Sequence, residues 1–347
     1  HASDRARALH ASLDVVDLHA DSLLWGRNLL VRGGQGHVDV PRLIEGNVAL
    51  QVLAASTKSP RQPNIERNDD AADAITLVAL ASGWPPATWR SRLARATHLA
   101  DKAAALAAGS EGRFRLIRSA RELATYRAER AATPELTAGL LSIEGAHALD
   151  DDLANIEVVY AAGYRMMSPS HFFDNAFGGS AHGIAKGGLT PMGRGMVERM
   201  EALGMVVDIA HASSATIDDV LAMATRPVVA SHTGVRGTAD NARNLSDEHL
   251  RGIAASGGLI GIGFWETATG GVDVAAIARA IEYAVDVAGI DHVGLGSDFD
   301  GAVTTPIDAT GLVQITDALL AAGLGETAVA KVMGGNAFRV LEESLPA

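Results

Sequence analysis

The sequence predicts an α/β fold, a (β/α)8 barrel with a helical insertion, and three observations carry that reading. Eight short runs rich in Val, Ile and Leu recur along the 347 residues, and helical stretches separate them. Six of the eight runs lead into a residue able to bind metal or carry a proton. Runs apolar on both faces are what parallel strands look like, because helices cover the sheet outside and side chains fill the barrel inside.

The expected strands are Leu13–Asp17, Val48–Leu53, Gly139–Ile143, Tyr164–Ser168, Met205–Ile209, Pro227–Ser231, Leu259–Phe264 and His292–Gly296. Met166 and Met167, inside the fourth, read as core. Residues 1–12 form a short polar helix leading into the body. Asp69–Ser82 and Trp89–Ala108 are Ala-rich helices, while Thr190–Leu203 and Ser213–Ala224 carry apolar residues at helical spacing. Ser246–Ala255 opens on a Ser-Asp-Glu cap, Val274–Ala288 follows a Gly-Gly break, and Thr310–Ala322 and Glu326–Leu341 complete the set. Residues 54–138 make a helical insertion between the second and third strands, with two helices and the loop TKSPRQPNIERN. With no Pro- or Ser-rich linker and no repeat, residues 1–347 read as one domain. An open doubly wound sheet is the rival arrangement.

Composition narrows the function. The 48% hydrophobic content supplies a large core and excludes disorder for most of the chain. With 41 acidic against 29 basic residues the net charge is −12, which argues against nucleic-acid or anionic-membrane partners. The absence of cysteine excludes disulfides, thiolate zinc sites, iron–sulfur clusters and cysteine nucleophiles. No apolar run reaches the ~18 residues that a membrane helix needs. Numbering opens at His1, so a leader or anchor could precede it, and the compartment stays open between cytoplasm, periplasm and a membrane anchor. Oligomeric state also stays open, a homodimer included.

The polar residues fall where a barrel builds its active site, at the C-terminal ends of the strands. The first strand runs into His19 and Asp21, and later strands lead to Glu144, His171, His211, His232 and Asp298. Residues i and i+2 of extended backbone face the same side, so His19 and Asp21 can converge on one ion, although a solvated pair in a turn explains them equally. With Glu144, His211 and His232 the set grows to three imidazoles and two carboxylates, more than a single open catalytic zinc takes from protein. Two ions bridged by one carboxylate would use all five, with nickel, cobalt or manganese as alternatives to zinc. His147 reads as a supporting or loop residue. His10, His37, His98, His182, His249 and His292 read as surface or packing residues.

The segments DLHAD, SIEGAHAL, SPSHFFDN, DIAHAS, PVVASHTG…NARN and HVGLGSDFDG, in that order, resemble the membrane (renal) dipeptidase family of metallopeptidases. The likeness runs from about Val15 to Gly301 and implies a zinc-dependent, amidohydrolase-like barrel that cleaves dipeptides. It implies His19 and Asp21 as ligands of one zinc, His211 and His232 as ligands of another, and Glu144 as the bridge. It further implies that His171 assists the substrate carbonyl, that Arg243 grips the substrate, and that Asp298 is the acid/base, with Asp300 as the rival carboxylate. Ala20 and Ala146 depart from the residues common in the family, but neither supplies a ligand. Phe264–Glu266 lies where members vary a substrate-facing residue. Another binuclear amidohydrolase, acting on N-acyl amino acids or β-lactams, and a silent metal-bound scaffold are the competing readings. The first competitor often carries H-x-H and a carbamylated lysine, where this chain has H-x-D and Glu144.

Overall fold

Strands β1 (Val15–Ala20), β2 (Val48–Ser56) and β4 (Thr137–Glu144) are buried along their whole length. Such burial on both faces requires a cover on each side, and the computed structural model, which describes residues 2–347, shows how it is met. The other strands are β3 (Phe114–Leu116), β5 (Tyr164–Met167), β6 (Val206–Val207), β7 (Val229–Thr233), β8 (Leu259–Ile262) and β9 (Val293–Leu295). They form one curled parallel sheet in the order β6-β5-β4-β2-β1-β9-β8-β7, with β3 attached to β4. The curl is a half-barrel closed toward a ring: Asp208, just past β6, makes a single parallel bridge to Val229 of β7. All eight expected runs overlap strands, although β1 and β7 run two or three residues further than expected, and the α/β barrel class is the one observed.

The middle of the barrel is packed with apolar side chains from successive strands, among them Leu18, Leu50, Leu140, Met166, Val206, Val229 and Leu259. Burying such a side chain contributes roughly 1.5–3 kcal/mol, so this filling is a main source of stability. Phe338 and Leu341 of the last helix (Asn336–Ser344) join the same cluster. The Asn336 amide donates to the carbonyl of Val293, the first residue of β9, so this helix closes the end where strands begin. The opposite end is left for the site.

Helix starts follow local capping chemistry: Ser91, Thr190, Ser213, Ser246 and Asp273 each accept a hydrogen bond from a backbone N–H in the first turn. The polar lead-in is helical over Asp4–Ala11, and His1 lies outside the described residues. Between β2 and β4 the structure holds the helices Ala74–Ala81, Arg92–Gly109 and Ala120–Ala132, plus β3. The sequence reading gave that stretch two helices. It missed the third, whose period is blurred by the charged run ARELATYRAERAA, and it missed β3, which is too short to show alternation. Among the described residues no helix is long and apolar enough to cross a membrane.

Candidate metal and active site

Three of the polar residues sit inside strands: His19 in β1, Glu144 as the last residue of β4, and His232 in β7. Asp21 follows β1, and His171, His211 and Asp298 come from the loops after β5, β6 and β9. The loops bend sharply to deliver them. His211 and Asp298 hold left-handed backbone, φ 63° and 60°, a conformation that costs a non-glycine residue of order 1–3 kcal/mol and gathers at functional sites. After Glu144 the chain turns through Gly145 at φ 94°, where a Cβ would come within 2.3 Å of the His147 ring. Only glycine fits there.

These residues meet around one carboxylate oxygen. Glu144 Oε1 lies 3.1 Å from His211 Nε2, 3.3 Å from His232 Nε2 and 3.6 Å from His19 Nε2. Its other oxygen is 3.4 Å from His171 Nε2. Asp21 stands 3.6 Å and Asp298 3.9 Å from His19 Nε2, so a second carboxylate-rich corner adjoins the first. Three overlapping triads result, His19–Glu144–His232, Glu144–His171–His211 and His19–Asp21–Asp298, each with donor atoms within 4.8 Å of one another.

Electrostatically the cluster calls for cations. Burial pushes Glu144 well above the ordinary carboxylate range, and the Asp21 charge pushes it further. Burial also raises Asp298, to about 7, against the pull of His19. Burial disfavours a charged His19, but Glu144, Asp21 and Asp298 outweigh it and hold the imidazole up at about 10. His211 and His232 go the other way, kept neutral by burial and by the nearby Arg243 charge. Both ring nitrogens of His19 and Oδ1 of Asp21 are buried without a hydrogen-bond partner. Orphaned donor atoms of this kind, beside neutral imidazoles and crowded carboxylates, fit metal ions.

The outer atoms of the two neutral imidazoles are fixed. Ser231 Oγ donates to Asp208 at 2.6 Å, so it accepts from His232 Nδ1–H at 2.9 Å and leaves Nε2 with a free lone pair. His182 Nε2 is 2.9 Å from His211 Nδ1. Sequence reading placed His182 on the surface or in packing, and the structure corrects this: it is buried against a site residue because its loop folds back over the barrel mouth. Asp208 also went unremarked, although an acidic residue three positions before His211 at a strand end was a readable signal. His147 is buried against Phe173 and pushed down to about 3 by burial.

Above the cluster opens a cavity of about 380 Å³. Asp21, Glu144, His171, His211, Arg243 and Asp298 reach it, and Leu24, Trp25, Ile65, Ile75, Val78 and Phe172 form apolar walls. Arg243 donates to the His232 carbonyl at 2.6 Å and lies over Trp265 at 5.6 Å. Burial lowers it to about 10, against the pull of Asp298 and Glu144, so it stays a cation at neutral pH. The structure therefore gathers every residue expected at the site into one place. The rival Asp300 borders the same cavity, but its carboxylate is taken up by Ser22, Arg27 and His37.

Comparison with known proteins agrees with this geometry. Residues 3–345 match the family model of membrane dipeptidases, peptidase family M19. The chain is 34% identical over 253 residues to an uncharacterized protein in the pqqA 5′ region of Klebsiella pneumoniae, covering 68% of this chain and 91% of that one. It is 28% identical over 318 residues to the dipeptidase tcpJ of Claviceps purpurea, covering 89% and 69%. Among solved structures, the dipeptidase AC, a family M19 metallopeptidase, superposes with a TM-score of 0.79 at 29% identity over 97% of this chain and 100% of that one. A Rhodobacter sphaeroides metallopeptidase, liganded with a phosphinate mimic of the dipeptide L-Ala-D-Ala, superposes at 0.77 with 26% identity over 96% and 99%. The chain belongs to the membrane dipeptidase family, peptidase family M19, whose members are metallo-dipeptidases hydrolysing peptide bonds.

Proposed function

We propose that the protein is a two-zinc dipeptidase acting on free dipeptides, the whole chain working as one barrel unit with residues 54–138 forming a wall of the site. The observation that carries this reading is the position of Glu144 Oε1 among the Nε2 atoms of His211, His232 and His19. His19 and Asp21 would hold one ion, His211 and His232 the other, with Glu144 between them. Zinc, when bound there, supplies Lewis acidity and an activated water.

The chain's own groups do the rest. Asp298, facing His19 at the cavity floor, accepts a proton and returns it to the leaving amine. His171, which reaches the cavity beside Glu144, stabilises the carbonyl oxygen as charge develops on it. Arg243 pairs with the free α-carboxylate through its remaining N–H groups, one N–H being committed to the His232 carbonyl. The apolar walls accommodate substrate side chains.

The test is metal analysis of zinc-loaded protein together with turnover of L-Xaa-L-Xaa and L-Xaa-D-Xaa dipeptides. The D series is included because the Rhodobacter relative holds an L-Ala-D-Ala mimic. Two ions per chain and hydrolysis of dipeptides are expected. Metal binding without hydrolysis of any member would leave the scaffold reading standing instead.

A further inference from the structure

The loop that walls the substrate cavity also reaches a site imidazole from behind. His182 Nδ1 lies 2.7 Å from the Ile65 carbonyl oxygen, and His182 Nε2 lies 2.9 Å from His211 Nδ1. A carbonyl only accepts, so the His182 proton must sit on Nδ1. Its Nε2 then accepts, and His211 Nδ1–H donates to it. That leaves His211 Nε2 with a bare lone pair, aimed at Glu144 Oε1 3.1 Å away.

We propose that His182 is a positioning residue, and that the Ile65–His182–His211 chain of hydrogen bonds sets the tautomer and ring direction with which His211 meets its ion. This rests on the two-zinc reading above.

The supporting framework is built for the task. Ala181 N–H donates to the His211 carbonyl at 2.8 Å, and Ser180 pairs with Ala212 as an antiparallel bridge, so the two histidine segments are laced together. Asn68 donates from its backbone and its side chain to the His182 carbonyl, at 2.7 and 3.1 Å. Its side chain also closes the turn on Asn64. Ile65, held in that turn, lines the cavity. The carbonyl that fixes the His182 tautomer thus belongs to a residue of the cavity wall, held in place by Asn68.

The experiment compares wild type, His182→Gln and His182→Leu. Glutamine can accept from His211 through its oxygen and donate to Ile65 through its amide, whereas leucine can do neither. Affinity for each of two ions is measured by chelator competition, and cobalt-loaded protein gives the visible d–d spectrum of the site. Loss of a partner to a ligating histidine typically lowers metal affinity 10–100-fold. The expected result is a loss of that size in His182→Leu for one ion only, with an altered cobalt spectrum, and recovery to within a few-fold in His182→Gln. Equal affinities and spectra in wild type and His182→Leu would overturn the proposal. Fewer than two ions in wild type would instead overturn the two-zinc reading. Should His182→Leu fail to fold, long-range ¹H–¹⁵N spectra of the wild-type imidazoles decide. Protons on Nδ1 of both His182 and His211 support the assignment, and a proton on His182 Nε2 refutes it.

Discussion

Asp298 and Asp300 stand two residues apart on one loop, both with left-handed backbone at φ 60° and 62°, yet their carboxylates have opposite surroundings. Asp300 accepts from Ser22 Oγ, the Arg27 guanidinium and the His37 backbone N–H, at 2.5, 2.5 and 2.6 Å. Asp298 faces the cavity and His19. One carboxylate fastens the loop, and the other is left without such partners, as the acid/base role proposed for it requires.

Asp298→Asn should therefore keep its metal content and thermal midpoint while losing ~10²–10⁴-fold in kcat, the usual contribution of a general acid–base group. Asp300→Asn should retain the proton-transfer step but unfold more easily. Parallel measurements of metal content, kcat and Tm on the two variants check this, and an exchange of phenotypes would reverse the assignment.

Asp300 also predicts how stability responds to acid. Burial raises its pKa, but the His37 and Ser22 hydrogen bonds and Arg27 overcome that and hold it at about 2, against 3.8 when free. A lowered folded-state pKa stabilises the native state above the free value, by about 2 kcal/mol here, and that contribution fades as pH falls toward 2. In urea titrations the stability gap between wild type and Asp300→Asn should be constant above about pH 5 and shrink between about pH 4 and pH 2. A gap independent of pH would show that the contacts do not distinguish the charged carboxylate.

Glu144→Gln removes the negative charge at the centre of three imidazoles. Metal content should fall toward one ion or none, and dipeptide turnover should disappear. Elemental analysis showing two full ions with normal turnover would be incompatible with a bridging Glu144.

Arg243 predicts selectivity. A C-terminal amide leaves the buried guanidinium facing a neutral group, which should cost about 2–3 kcal/mol in kcat/KM. A tripeptide places chain where the carboxylate belongs. In Arg243→Lys the preference should weaken, because an ammonium cannot form two parallel hydrogen bonds to a carboxylate. The comparison of kcat/KM for a dipeptide, its amide and a tripeptide reads this directly, and equal values in wild type would remove Arg243 from substrate recognition.

Much of this was legible in the sequence because parallel strands advertise themselves as apolar runs and their ends mark the site. His19, Glu144 and His232 lie in or at the end of strands, where periodicity locates them. His182 was not legible. Its role depends on a long loop folding back until its ring meets His211, a contact across 29 positions that no local pattern encodes. Asp300 was ambiguous beside Asp298 for a related reason: its partners Ser22, Arg27 and His37 come from the other end of the chain.

The single bridge between Asp208 and Val229 gives the barrel a seam, and the seam runs under the site. Where strand ladders are thin, the Asp208 side chain takes over, accepting from the Ser231 backbone and hydroxyl across the gap. His211 and His232 rise from opposite lips of that gap. The cation proposed to sit between them would then act as a clasp on the ring itself. Stripping it should speed amide exchange around residues 206–209 and 229–232 before it is felt elsewhere, making the catalytic centre and the last closure of the barrel one mechanical unit.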